Sequence, residues 1–359
     1  MGERQDKFSG TMDVQEAHQF DIDRLTAYLE TIIPDLAPPL TAEQFKGGQS
    51  NPTYKLTDKA GRSFVIRRKP PGKLLKSAHA VDREYRVITA LGTQTDVAVA
   101  RTYGLCEDED VIGTMFYVMD CVDGRIFWEA HFPALEAAER EAYFDAMNDA
   151  LARLHRVDPE AIGLGDYGKP GNYFERQIGR WSKQYLADEA AGRSAAMDKL
   201  VEWLPQHIPE GDETSIVHGD FRCDNMIFDA EKPEVRAILD WELSTLGHPL
   251  ADFTYHLMMY RMSPQGFTGL MGLDLDALGI PSEASYVQRY CERTNRSGIA
   301  GLNFYFAYNM FRLAAILHGI QGRVVRGTAA SAHAKQMGSM LEPLATLAWA
   351  QAERHMAEG

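Results

Sequence analysis

Cysteine is scarce. The 359 residues hold four, Cys106, Cys121, Cys223 and Cys291, and none stands at the short paired spacing of a zinc site or a redox dithiol. Four reduced, mostly buried thiols are expected instead. Long apolar runs are missing as well: the longest late stretch, around Leu302 to Ile320, is interrupted by Asn309, Arg312 and His318, which suits a buried helix better than a membrane span. The first twenty residues are polar and mixed in charge, without the apolar run of a signal peptide. A cytoplasmic location is therefore expected. Positive charge is also short, with 37 Lys and Arg against 51 Asp and Glu and a net charge of −14. A chain built to neutralise a phosphate backbone or an anionic bilayer would carry the opposite balance, so no nucleic acid and no membrane partner is expected. Neither an internal repeat nor a low-complexity segment is visible.

What remains is globular. Apolar residues make up 45% and charged residues 25%, and the length suits two compact units. After a flexible tail over residues 1–20, the periodicity predicts a helix over Asp21–Ile33, with Ile22, Leu25 and Leu29 on one stripe and Pro34 ending it. Short alternating runs around a Gly-rich turn then predict three antiparallel strands between Phe45 and Arg67. A helix over Asp82–Leu91 and strands over Tyr103–Glu107 and Met115–Met119 complete a small β-rich lobe, residues 21–120. Residues 121–359 read as mostly helical, over Ala134–His155, Tyr173–Ala187, Ala195–Trp203, Leu250–Tyr260, Ser282–Arg293, Leu302–Gly319 and Ala329–Ala352. One β-patch interrupts them at Ser215–Val217, Met226–Phe228 and Val235–Leu239. The fold class is α+β, two-lobed, with a helical C-lobe carrying an embedded hairpin and a ligand cleft expected between the lobes.

The β-patch holds the densest polar constellation, His218-Gly-Asp220-Phe-Arg222-Cys-Asp-Asn225 followed by Asp240 at a strand end. An Asp, an Asn five positions on and a second Asp after a hairpin offer three hard oxygen donors. Donors of that kind suit Mg2+, which also takes oxygens from substrate phosphates.

These residues, in this order, resemble the aminoglycoside phosphotransferase and choline kinase superfamily of kinase-like enzymes. The resemblance runs from about Phe45 to Asp252. It implies ATP and Mg2+, with Asp220 as the base that accepts the acceptor hydroxyl proton and Asn225 and Asp240 as metal ligands. By the same resemblance Arg222 contacts the moving phosphoryl group, and Arg67, where such enzymes often carry lysine, meets the nucleotide phosphates with Glu84 as its partner. Gly47, Gly48, Ser50 and Asn51 stand where a phosphate loop belongs, and Tyr117 to Asp120, with Met119, where the hinge meets the nucleotide base. More narrowly, Gly47–Tyr54, Ile66–Leu75 and Asp82–Leu91 resemble the kinase-like domain that some eukaryotes fuse to an acyl-CoA dehydrogenase. No segment resembles the flavin-binding dehydrogenase itself.

Charge distribution speaks to the acceptor. Residues 253–340 carry eight Lys and Arg against four Asp and Glu, and the helix from Tyr173 adds Arg176, Arg180 and Lys183. An anionic small molecule is expected, a hydroxy acid or a hydroxyacyl-CoA, with Arg176, Arg180, Trp181 and Glu242 as candidates for its site. Structural roles compete for some positions: His218 reads as a loop-shaping residue, and Asp252 as the residue that orders the loop or caps its helix. Two other functions fit fewer residues. One is a degenerate kinase fold that only binds a nucleotide or acyl group, and the other a metal-dependent hydrolase built on His218, Asp220, His248 and Asp252 or His256. The sequence sets no oligomeric state.

Overall fold

The computed structural model describes residues 9–47, 51–71, 79–328 and 334–358. Strands β1 (Thr11–Met12), β2 (Thr41–Phe45), β3 (Thr53–Thr57), β4 (Ser63–Arg68), β5 (Thr102–Cys106) and β6 (Phe116–Asp120) form one sheet in the order β1-β2-β3-β4-β6-β5. Further on come β7 (Ser215–Val217), β8 (Met226–Phe228), β9 (Val235–Ile238) and β10 (Thr245–Gly247). The principal helices are α1 (Ile22–Ile32), α2 (Val81–Gln94), α3 (Ala137–Arg156), α4 (Tyr173–Ala187), α5 (Ala195–Trp203), α6 (Pro249–Leu257), α7 (Glu283–Arg293), α8 (Leu302–Val325), α9 (Ala334–Ser339) and α10 (Leu341–Glu358). Two compact units emerge. The first comprises Met1–Tyr167, Arg222–Ser244 and Asp276–Ile280; the second comprises Gly168–Phe221, Thr245–Leu275 and Pro281–Gly359.

In the first unit the two-residue period of the strands sorts the side chains. Tyr54, Leu56, Phe64, Ile66, Phe116 and Val118 face a core with Leu25 and Leu29 of α1; each such burial contributes about 1.5–3 kcal/mol. Thr53, Lys55, Val65, Arg67, Tyr117 and Met119 face the other way and line a cavity. Asp21 caps α1, its carboxylate accepting from the backbone N–H of Asp23 and of Arg24, each at 3.0 Å.

Of the expected flexible tail, residues 1–8 lie outside the described residues, and the remainder is a correction. From Thr11 the chain adds an edge strand to β2, with Thr11 opposite Phe45. His18 is fixed too, its carbonyl accepting from Tyr54 Oη and Arg68 Nη2, both at 3.0 Å.

The expected break at residue 120 also falls elsewhere. Phe127 and Phe132, with centroids 4.7 Å apart, pack with Tyr143 of α3 and Phe228 of β8. That aromatic cluster draws α3 and the β8–β9 hairpin into the first unit. Backbone pairing of Arg125 with Phe228 reinforces it at 2.8 Å in both directions. Gly124 is required there, because at φ +158° a Cβ would lie 2.1 Å from the Phe228 carbonyl oxygen.

The second unit is built around α8. Phe304, Phe306, Tyr308, Met310 and Phe311 are fully buried, with α4, α6 and α10 packed against them. The helix is apolar on nearly all sides because its surroundings are protein. No helix among the described residues is long and apolar enough to cross a membrane. The single β-patch expected from 215 to 239 splits in two: β7 pairs with β10, placing Thr245 opposite Val217, while β8 pairs with β9. A Cβ on Gly247 would lie 2.7 Å from the Tyr173 ring and 2.8 Å from Val217, so the β7–β10 approach depends on glycine.

Candidate active site

Four charged groups converge in the first unit. Strand β4 delivers Arg67, and α2 delivers Glu84 from a stripe otherwise made of Val81, Val87, Ile88 and Leu91. Arg67 Nε lies 2.7 Å from Glu84 Oε2, while Nη2 lies 2.7 Å from Asp240 Oδ1 and 3.4 Å from Glu242 Oε2. Tyr117 donates to Glu84 Oε2 at 3.2 Å. Arg67 and Glu84 side chains are only 8% and 1% exposed, so the ion pair is a buried one. Asp240 takes a left-handed conformation at φ +61°, a strained backbone of the kind that gathers at functional sites. Leu239 N–H donates to the Asn225 carbonyl at 2.8 Å, so β8 and β9 bring Asn225 and Asp240 to the same end of their hairpin.

Three carboxylates thus surround one guanidinium and leave an excess of negative charge when all are ionised. Burial pulls Arg67 down, but Glu84, Tyr117, Asp240 and Glu242 more than reverse it and hold the guanidinium charged. Burial pushes the Glu84 carboxyl up to about 7, against the pull of Arg67, and the charges of Asp240 and Glu242 add to the rise. This donor set fits Mg2+: Asn225 and Asp240 supply hard oxygens, and the ion needs only one or two carboxylates beside nucleotide phosphates. Asn225, Asp240 and Arg67 line one cavity of about 1000 Å3, together with Val65, Ile88 and Met119.

Several expected residues stand differently. Asn51 is fully buried, its amide donating to Glu84 Oε1 at 2.8 Å and its oxygen meeting His79 Nδ1 at 2.9 Å. It steadies Glu84 rather than facing a ligand. With its nitrogen on Glu84, Asn51 presents its oxygen to His79, whose Nδ1 is therefore the donor. Gly47 lines the cavity; Gly48 and Ser50 lie outside the described residues. Arg222 Nε donates to Asp224 Oδ1 at 2.9 Å. Glu242, expected at the acceptor, belongs to the Arg67 cluster.

Asp220 belongs to the second unit. Asp252 of α6 accepts from His218 N–H at 2.6 Å and Gly219 N–H at 2.8 Å, and His218 Nδ1 accepts from Asp220 N–H at 3.2 Å. His218 therefore shapes the loop and Asp252 orders it. Tyr255, on the same face of α6, donates to Asp220 Oδ1 at 2.5 Å. Arg312 of α8 donates to the Gly219 carbonyl at 3.1 Å, with its guanidinium 5.3 Å from the Tyr255 ring centroid. Tyr255 and Arg312 are the residues that sequence reasoning missed. The signal for Arg312 was present, as a cation inside a long apolar helix.

The hydrolase expectation finds no site. His248 Nδ1 accepts from Leu250 N–H at 3.2 Å and caps α6. His256 Nε2 lies 2.7 Å from Tyr286 Oη and Nδ1 3.3 Å from the Phe221 carbonyl, and burial brings its pKa down to about 4. Among the described residues no group of three or more His, Cys, Asp or Glu could hold a metal ion.

The positive surplus over residues 253–340 is a further correction, since much of it is neutralised by carboxylates remote in sequence. Arg296 pairs with Glu213 at 2.7 Å and Arg326 with Asp188 at 3.0 Å; Arg261 pairs within the window, its Nε reaching Glu283 Oε2 at 2.9 Å. On α4, Arg176 donates to the Lys169 carbonyl at 2.6 Å, and Arg180 lies 5.1 Å from the Trp181 ring. Burial pushes the phenols of Tyr173 and Tyr308 up; Arg312 pulls both down, Arg176 acts on Tyr173 and Arg180 on Tyr308. These cations therefore share one neighbourhood.

Comparison with known proteins identifies the family. The phosphotransferase enzyme family model matches residues 41–302. A Ralstonia eutropha protein whose crystal structure carries an aminoglycoside phosphotransferase assignment is 51% identical, over 94% of this chain and 99% of that one, with a TM-score of 0.86. Mouse acyl-CoA dehydrogenase family member 10 is 44% identical over 94% of this chain, and human acyl-CoA dehydrogenase family member 11 is 38% identical over 94%. The chain spans only 32% and 44% of the length of these two curated relatives. A Cryptosporidium parvum choline kinase structure, 11% identical over 94% of this chain and 97% of its own, shares the fold at a TM-score of 0.59. With its kinase-like α+β fold, the chain belongs to the phosphotransferase enzyme family.

Proposed function

We propose that the protein transfers the γ-phosphoryl group of ATP, in the presence of Mg2+, to a hydroxyl of a small anionic molecule, a hydroxy carboxylic acid or its acyl-CoA ester. The observation that carries this reading is the Arg67–Glu84–Asp240 cluster, of which Arg67 and Asp240 line the cavity. A guanidinium held charged by buried carboxylates is a phosphate-binding group. Asn225 and Asp240 would hold Mg2+, which when bound neutralises charge on the nucleotide phosphates. Asp220 takes the proton of the acceptor hydroxyl; that oxygen forms the new bond to the γ-phosphorus as the bond to the bridging oxygen breaks, and ADP leaves. Arg176, Arg180 and Arg312 supply the positive field for the acceptor, and the relatives named for acyl-CoA dehydrogenases support a CoA-linked one. The same relatives would lend this chain a dehydrogenase name, while its own polar groups are those of a kinase.

Release of nucleoside diphosphate, measured with and without Mg2+ against hydroxy acids, hydroxyacyl-CoA esters, aminoglycosides, choline and homoserine, tests the reading. Mg2+-dependent turnover on an anionic acceptor is expected, and Asp220→Asn should lower it on the order of 10²–10⁴-fold with little change in nucleotide affinity. The contact of Arg67 with Asp240 favours one second reading, a nucleotide-binding module without turnover, which predicts binding and no diphosphate release with any acceptor.

A further inference from the structure

We infer that Tyr255, backed by Arg312, is the positioning residue of the base Asp220: its phenol fixes one carboxylate oxygen and so sets which oxygen receives the acceptor's proton. The inference rests on the reading of Asp220 as base.

A carboxylate on a loop has a broad, roughly two-fold preference about its last torsion. Its direction must come from outside. The 2.5 Å bond from Tyr255 Oη to Asp220 Oδ1 is a charge-assisted contact, shorter and stronger than a neutral one. Tyr255 is itself placed by the residue that places the loop, because Asp252 lies one turn earlier on α6 and holds His218 and Gly219 by their N–H groups. One helix face therefore fixes both the backbone leading to Asp220 and the side chain of Asp220. Arg312 closes the arrangement from α8. It holds the Gly219 carbonyl at 3.1 Å and lies 5.3 Å from the Tyr255 ring, so the phenol has a cation on its face and the loop a donor on its other side.

The chemical consequence is specific. Removing the donor frees the carboxylate to turn out of register with the acceptor hydroxyl, which slows proton transfer and leaves nucleotide binding alone. A purely structural tyrosine would lower stability without separating kcat from the nucleotide KM.

The test compares wild type, Tyr255→Phe and Asp220→Asn in the Mg2+-dependent assay. For Tyr255→Phe we expect kcat to fall on the order of 10–100-fold and the nucleotide KM to stay within about twofold. Arg312→Lys, which keeps charge but loses the fork, should lower kcat by less. Incorporating 3-fluorotyrosine at position 255, which keeps the donor and the phenol's shape, should hold kcat within about threefold of wild type. An undiminished kcat in Tyr255→Phe, or an equal loss in both position-255 variants, alongside an inactive Asp220→Asn, overturns this inference and leaves the functional reading standing. A fully active Asp220→Asn overturns the functional reading and the inference with it.

Discussion

Arg67 stands 2.7 Å from Glu84 and, by its other nitrogen, equally far from Asp240. One buried cation thus ties the helix carboxylate to the carboxylate proposed as a metal ligand. Removing one partner of a buried pair costs about 3–5 kcal/mol; removing both leaves only Asp240 and Glu242, which are partly exposed, without their cation. Arg67→Ala and Glu84→Ala should each destabilise the protein and raise the nucleotide KM. The double variant should fall short of the sum by about 1 kcal/mol or more in denaturant unfolding. Strict additivity would mean that the two side chains do not act on each other.

The second prediction separates the two metal-side residues. Asp240 carries charge and also meets Arg67, so Asp240→Ala should lose nucleotide affinity and on the order of 10² in rate, with no rescue by Mg2+. Asn225 is neutral, and raising Mg2+ should restore part of the rate lost in Asn225→Ala. Equal rescue of both variants in a Mg2+ titration would remove Asp240 from metal binding.

The motif around Asp220 and the strand-plus-helix order before it were legible because each rests on local spacing. Glu84 was expected as the partner of Arg67 from the family resemblance rather than from spacing, and its near-complete burial was not foreseen. The pairing of β7 with β10 was not, since Thr245–Gly247 is too short to show a period and its partner lies about 30 residues earlier. Nor was the neutralisation of Arg296 and Arg326, whose carboxylates come from positions 213 and 188. A charge count over a window assumes that opposite charges are neighbours in sequence, and the helices of the second unit break that assumption. Asn51 shows the converse: a loop-like sequence gave no sign that its amide would be fully buried against Glu84.

A third prediction concerns pH. The folded pKa of Glu84 is raised from 4.5 to about 7, so between those values the folded chain holds a proton that the unfolded chain has lost, and stability falls as pH rises. His256 works in the opposite sense. Its pKa is lowered from 6.5 to about 4, so the unfolded chain binds the extra proton there and stability rises with pH. Each contribution is about 3 kcal/mol, and across pH 4.5–6.5 they oppose one another. Unfolding free energy should therefore change little in wild type over that window, rise with pH in Glu84→Gln and fall with pH in His256→Gln. Parallel profiles for all three proteins would refute both assignments.

The last prediction concerns the acceptor, and paired charges decide it. Asp188 and Glu213 neutralise Arg326 and Arg296, so Arg326→Gln and Arg296→Gln should leave the acceptor KM unchanged. Arg176 and Arg180 differ: both lie on α4, and they act on the buried phenols that also feel Arg312, the cation holding the loop before Asp220. Their field reaches the base-bearing side of the second unit despite the chain's net charge of −14, because steering follows local potential rather than the total. Arg180→Glu and Arg176→Gln should therefore raise the KM of an anionic acceptor on the order of tenfold without moving the nucleotide KM. The wild-type KM should also rise more steeply with salt than that of either variant, since part of the screened attraction is already gone. A cationic acceptor inverts the sign: Arg180→Glu would then lower KM, and turnover confined to aminoglycosides or choline would end the anionic assignment while leaving the phosphoryl-transfer chemistry of Asp220 intact.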